Sequence, residues 1–237
     1  MAIFLKAKWE QLIMANYAVP QEVLLPYLPA GVELDLFNGE AFVSLVGFMF
    51  KKTKLFNLPI PFLGNFEEIN LRFYVKRMVG NEVRRGVVFV NETIPFKPVA
   101  WVANWLYKEH YVTVPTKHKW IIEADKKTIQ YQWKKDKYWN KLEVTANTEA
   151  NKMQAGAHDN FIFEHYFGYT KVNETHTEEY KINHPSWLVN EITNYEINCQ
   201  FDKMYGDDFG FLNQSQPHSV YLAEGSDISV DWKRNRI

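Results

Sequence analysis

Cysteine is nearly missing from this chain. Cys199 is the only one in 237 residues, which excludes an intrachain disulfide framework and any cysteine-rich zinc scaffold. It follows Ile197-Asn198 in a strand-like run and reads as a small buried residue rather than a nucleophile. Long apolar runs are also missing. No window approaches the ~18 consecutive apolar residues of a bilayer-spanning helix, so no membrane partner is expected. The start, Met1 to Lys8, carries no extended apolar region of a secretory signal, and a reducing cytoplasm is the expected location. Charge of either sign is not in excess. Lys and Arg number 27 against 28 Asp and Glu, a net charge of -1, which leaves no basic field to attract a phosphate backbone, so no nucleic acid is expected.

Several catalytic signatures are absent as well. There is no Gly-x-Gly-x-x-Gly, no P-loop and no Gly-x-Ser-x-Gly elbow, which removes local support for dinucleotide, nucleotide or serine-hydrolase chemistry. Seven histidines are present, notably His158 and His165 around Phe161-Ile162-Phe163-Glu164, and His176 and His184 flanking a strand. None forms His-Glu-x-x-His, and zinc needs three or four converging ligands. The expectation is no metal and no cofactor.

What is present is material for a core. Apolar residues make up 46% of the chain and aromatic residues 16%, which places it among folded globular proteins. Pro20 opens a short helical run to Leu28, ended by Pro29-Ala30-Gly31. Val32 to Leu36 and Ala41 to Phe50 flank Asn38-Gly39 and read as a hairpin. A rigid loop over 57–64 contains two prolines. Strands follow at Phe66 to Val75 and Gly86 to Glu92, then a helix at Val99 to Tyr107. His118 to Glu123, Thr128 to Trp133 and Tyr138 to Asn147, separated by charged turns, read as a solvent-washed antiparallel meander. A short helix at Asp159 to Tyr166 and strands at Thr177 to Asn183 and Glu191 to Cys199 complete the chain. Without repeats or a dividing linker, the pattern implies a single domain over 1–237, of α+β class. It is mainly antiparallel β, with a closed sheet and a few short helices.

The strand from Phe66 to Val75 carries the most chemistry. Strand alternation puts Glu67, Ile69, Leu71, Phe73 and Val75 on one side and Glu68, Asn70, Arg72 and Tyr74 on the other. The second row faces either solvent or an enclosed space, and alternation alone does not decide between them. In an enclosed space, Glu68, Asn70 and Arg72 would form a ligand-binding row, since arginine clamps carboxylates through paired hydrogen bonds. The bland alternative is an Arg72–Glu68 ion pair. Arg84, Arg85, Lys97, Lys108 and Glu164-His165-Tyr166 are further candidates, each with a structural alternative.

Asn16-Tyr17, Val19-Pro20, Leu28-Pro29-Ala30-Gly31, Val43 to Phe48, Asn65 to Val75, Arg85 to Phe89, Glu164-His165-Tyr166 and His184-Pro185-Ser186-Trp187 together resemble the YqjF-like family of uncharacterised bacterial proteins. That family is similar to the acetoacetate decarboxylase-like fold. The resemblance implies a cone-shaped β-barrel around a pocket, with the polar row inside and Glu67 or Glu68 as the counterpart of the decarboxylase's pocket glutamate, strand alternation preferring Glu68. The decarboxylase's own motif, Gly-Phe-Pro-Lys with a Schiff-base lysine, is missing. Lys108 lies in the corresponding region without matching it, so the catalytic residues stay unknown. Two readings follow: a protein binding a small polar or acidic molecule, or a lysine-dependent lyase acting on a keto acid. Exposed strand edges and abundant aromatics leave room for a homo-oligomer.

Overall fold

The computed structural model describes residues 3–59, 64–97 and 111–237. The helix expected at 99–107, Lys108 and residues 60–63 of the proline loop lie outside them. Strands dominate: β1 (Ile3–Val19), β2 (Glu33–Leu34), β3 (Ala41–Leu55), β4 (Leu58–Pro59), β5 (Phe66–Val79), β6 (Glu82–Ile94) and β7 (Tyr111–Thr113), followed by β8 (Thr116–Ile122), β9 (Lys126–Lys135) and β10 (Tyr138–Lys152). The last four are β11 (Phe167–Asn173), β12 (His176–Asn183), β13 (Leu188–Asn198) and β14 (Ser219–Arg236). Short helices α1 (Gln21–Leu24), α2 (His158–Phe163) and α3 (Phe201–Tyr205) interrupt them.

Pairing runs β1-β3-β5-β6-β11-β12-β14, and β14 pairs back with β1. The β6–β11 step is parallel, with only Phe167↔Gly86 and Gly168↔Val87 in register, whereas the other steps of this ring are antiparallel. From β14 the sheet continues through β13, β10, β9 and β8. This second arm supplies a layer over one side of β1, β3 and β5. Ile129, Tyr131, Trp133, Leu142, Val144 and Ala146 are fully buried there, in one cluster with Ile69, Leu71 and Phe73. The meander is therefore washed by solvent on one face only, and its other face closes the main core. Strands, together with α3 and the 3-10 segment after it, cover the apolar face of β5.

Two local expectations change. The helix after Pro20 stops at Leu24 and tightens into a 3-10 turn over Leu25–Tyr27, because Pro26 cannot donate the next helical hydrogen bond. Asn38 and Gly39 do turn the chain, with φ 52° and 87°, as a tight hairpin turn requires. The hairpin, however, is a single Phe37↔Glu40 bridge. Glu33 and Leu34 pair with Lys76 and Val75 of β5 instead of β3.

Candidate functional site

Both faces of β5 are buried. Glu68, Asn70, Arg72 and Tyr74 turn to the face opposite the main core, beside a second apolar cluster that contains Phe48, Phe50, Phe66 and all three of Phe161, Ile162 and Phe163 from α2. Neighbouring strands set what stands beside each of them. Glu68, Asn70 and Arg72 lie opposite Phe48, Val46 and Ser44 of β3, and Asn70 and Arg72 lie opposite Glu92 and Phe89 of β6.

That last register contains a bulge: Leu71 pairs with Asn91 and Arg72 with Phe89, which leaves Val90 over. A bulge shifts the side-chain phase by one residue, so Phe89 and Glu92, an odd and an even position, both line the same cavity. The same happens in β1. Gln11 takes φ 51°, a region uncommon for non-glycine residues, and Trp9 before it and Leu12 after it both face the cavity. The cavity measures about 100 Å³, walled by Trp9, Phe48, Phe50 and Phe89, with Glu68, Asn70, Arg72, Glu92, Tyr111 and Tyr180 as its polar residues.

Asn70 links the row. Its Nδ2 donates to Glu68 Oε1 at 3.0 Å, and Tyr111 Oη donates to Glu68 Oε2 at 3.3 Å. Arg72 is 9% exposed, and among the described residues it has no carboxylate partner. The anticipated Arg72–Glu68 pair does not form. The guanidinium Nη2 makes only long contacts, 3.5 Å to Met14 Sδ and 3.4 Å to the Ile162 carbonyl, and the group lies over the Tyr74 ring at 5.6 Å. Arg72 Nε and Asn70 Oδ1 are buried with no hydrogen-bond partner among the described residues. Behind Arg72, Tyr74 is fixed by its hydroxyl at 2.5 Å from Ser44 Oγ, which in turn donates to Asn16 Oδ1 at 2.5 Å.

The other candidates from the sequence stand elsewhere. Arg84 Nη1 meets Glu179 at 2.6 Å, and Arg85 Nε meets Asp35 at 2.6 Å, with His165 Nε2 3.2 Å from the same Asp35 oxygen. Burial, opposed by the Asp35 hydrogen bond, lowers the His165 pKa to about 4, so the ring is neutral at physiological pH. Glu164 accepts from Ser186 and Tyr166. Lys97 is exposed, and among the described residues no lysine lines the cavity. Among the described residues no three His, Cys, Asp or Glu side chains converge as metal ligands, and no described helix is long and apolar enough to cross a membrane. Sequence alternation missed Phe89 and Glu92 because the bulge is a property of pairing, and it missed Trp9 and Tyr111 because they come from distant strands.

Comparison with known proteins fits this architecture. The chain aligns over its whole length with an acetoacetate decarboxylase-like enzyme from Sphingomonas wittichii RW1, covering 94% of that chain at TM-score 0.66 and 12% identity. It likewise aligns with acetoacetate decarboxylase from Legionella pneumophila, covering 88% at TM-score 0.64 and 12% identity. The enduracididine biosynthesis enzyme MppR, in complex with pyruvate, aligns over 91% of its chain at TM-score 0.66 and 11% identity. At such identities the likeness is one of fold. Uncharacterized protein YqjF of Bacillus subtilis is 35% identical over 72 residues, a stretch that spans 30% of this chain and 30% of that protein. Residues 6–227 match the family profile described as an uncharacterized conserved protein, and the chain accordingly belongs to the DUF2071 family.

Proposed function

We propose that the protein binds a small organic acid in this cavity, enclosed barrel-fashion by the strand ring, with Arg72 taking the carboxylate. The observation that carries the reading is a nearly buried guanidinium without an anionic partner among the described residues. A buried charge is retained only where something compensates it, and a ligand carboxylate supplies the bidentate partner that arginine geometry suits. Aromatic walls with a few oriented polar groups are the usual make-up of a small-molecule site. A volume near 100 Å³, about three waters at ~30 Å³ each, supports an acid of a few carbons.

Titration calorimetry with a panel of short carboxylic acids tests this. Arg72→Met should weaken binding by about 10- to 100-fold, the worth of a charged hydrogen-bonded contact. Equal affinity in wild type and variant would overturn the reading. The fold shared with decarboxylases supports a second reading, a lysine-dependent lyase on a keto acid. Borohydride trapping followed by mass spectrometry separates the two, because only the lyase leaves a lysine adduct.

A further inference from the structure

We infer that the preferred acid carries a hydrogen-bond donor, a hydroxyl or an amine, on a carbon next to its carboxylate, and that it is not a 2-keto acid. This deepens the binding reading and rests on Arg72 as the carboxylate site. The observation is a second orphan beside the first: among the described residues buried Asn70 Oδ1 has no hydrogen-bond partner, and neither has Arg72 Nε. Buried polar atoms are satisfied in the great majority of structures. Both orphans belong to residues that line one cavity, and together they would be satisfied by one atom that accepts from Arg72 and one that donates to Asn70.

The orientation of the Asn70 amide is fixed by its neighbour. Its nitrogen donates to Glu68 Oε1 at 3.0 Å, and an ionised carboxylate only accepts. Flipping the amide would set two acceptors against each other and leave the nitrogen toward the ligand, so the oxygen is the atom available. Arg72 and Asn70 are two residues apart on one strand face, about 7 Å between Cα atoms. A carboxylate and a donor on the adjacent carbon, or the one after it, can therefore reach both. A keto oxygen in that place would meet Asn70 Oδ1 acceptor to acceptor.

Propionate, lactate, alanine and pyruvate share one skeleton and carry hydrogen, hydroxyl, amine and keto groups at the same carbon. Calorimetry of wild type with these four should give lactate or alanine at least 10-fold tighter binding than pyruvate and propionate. The preference should vanish in Asn70→Leu. A tighter alanine identifies a charged donor and a tighter lactate a neutral one, and either supports the inference. Pyruvate binding as tightly as both would overturn it. If the four bind alike and Arg72→Met abolishes them all, the donor inference falls while the carboxylate site stands. If none binds, both fall.

Discussion

Arg72→Met, combined with Glu68→Gln, tests the electrostatics of the cavity directly. The two residues share a strand face four positions apart, which separates their backbones by about 13 Å, and Asn70 stands between them, bonded to Glu68. At that distance and an effective dielectric near 20, two unit charges interact by roughly 1 kcal/mol, against about 4 kcal/mol for a pair in contact at 4 Å. A double-mutant cycle read by urea denaturation should therefore return a coupling energy of ~1 kcal/mol or less. The single change Arg72→Met has its own sign. The methionine keeps the stem and removes a charge whose hydrogen bonds among the described residues are long, at 3.4 and 3.5 Å, so stability should stay level or rise by up to about 3 kcal/mol, as when buried charges are exchanged for apolar side chains. The gain would mark a residue kept for binding at some cost in stability. Removing the charge also removes one of the influences that lower the His165 pKa, so that pKa should move up. A loss of 3–5 kcal/mol on Arg72→Met, or a coupling above ~3 kcal/mol, would show a buried ion pair and refute the reasoning.

His165, neutral down to about pH 4 because burial outweighs the Asp35 hydrogen bond, lies below its unfolded value of ~6.5; its contribution to stability is complete above that value and fades between pH 6.5 and 4, by up to about 3 kcal/mol. Its imidazole resonances in NMR should stay those of the neutral ring at pH 5. Burial raises the Glu179 carboxyl, but hydrogen bonds from Asn235, Tyr169 and Arg84 and the Arg84 charge bring it below its ordinary value. Stability from it is present above the unfolded pKa of ~4.3 and lost as the pH falls further, so Glu179→Gln should flatten the decline of urea midpoints below pH 4. Burial pushes the Cys199 thiol well up, so a thiol reagent at pH 8 should label it only as fast as the protein unfolds. A Cβ on Gly86 would sit 2.4 Å from the Phe167 carbonyl oxygen, where β6 and β11 close the ring. Gly86→Ala should cost more than ~2 kcal/mol where a free strand would gain about 0.5, and an unchanged urea midpoint would contradict that packing.

How far the sequence discloses the site depends on which physical signal carries each part. Alternation alone placed Glu68, Asn70 and Arg72 on one face of β5, because side-chain phase in an uninterrupted strand is a local property. Whether that face meets water is not local. It is decided by β3 and β6 and by α2, which bring Phe48, Phe89 and Phe161 to the same side. The Asn38-Gly39 turn was legible for the same reason the hairpin around it was not: left-handed backbone is a residue preference, while the choice of β5 over β3 as the partner of Glu33-Leu34 depends on distant strands. Glu92 shows the limit most clearly. Counted by period 2 from Phe89 it belongs on the opposite face, and only the unpaired Val90 turns it inward. Bulges concentrate beside functional sites because they re-aim a side chain without breaking the sheet. Here two strands, β1 at Gln11 and β6 at Val90, shift phase next to the same cavity. Each places a ring and a second side chain, Trp9 with Leu12 and Phe89 with Glu92, on a wall that regular alternation would have given only one of them.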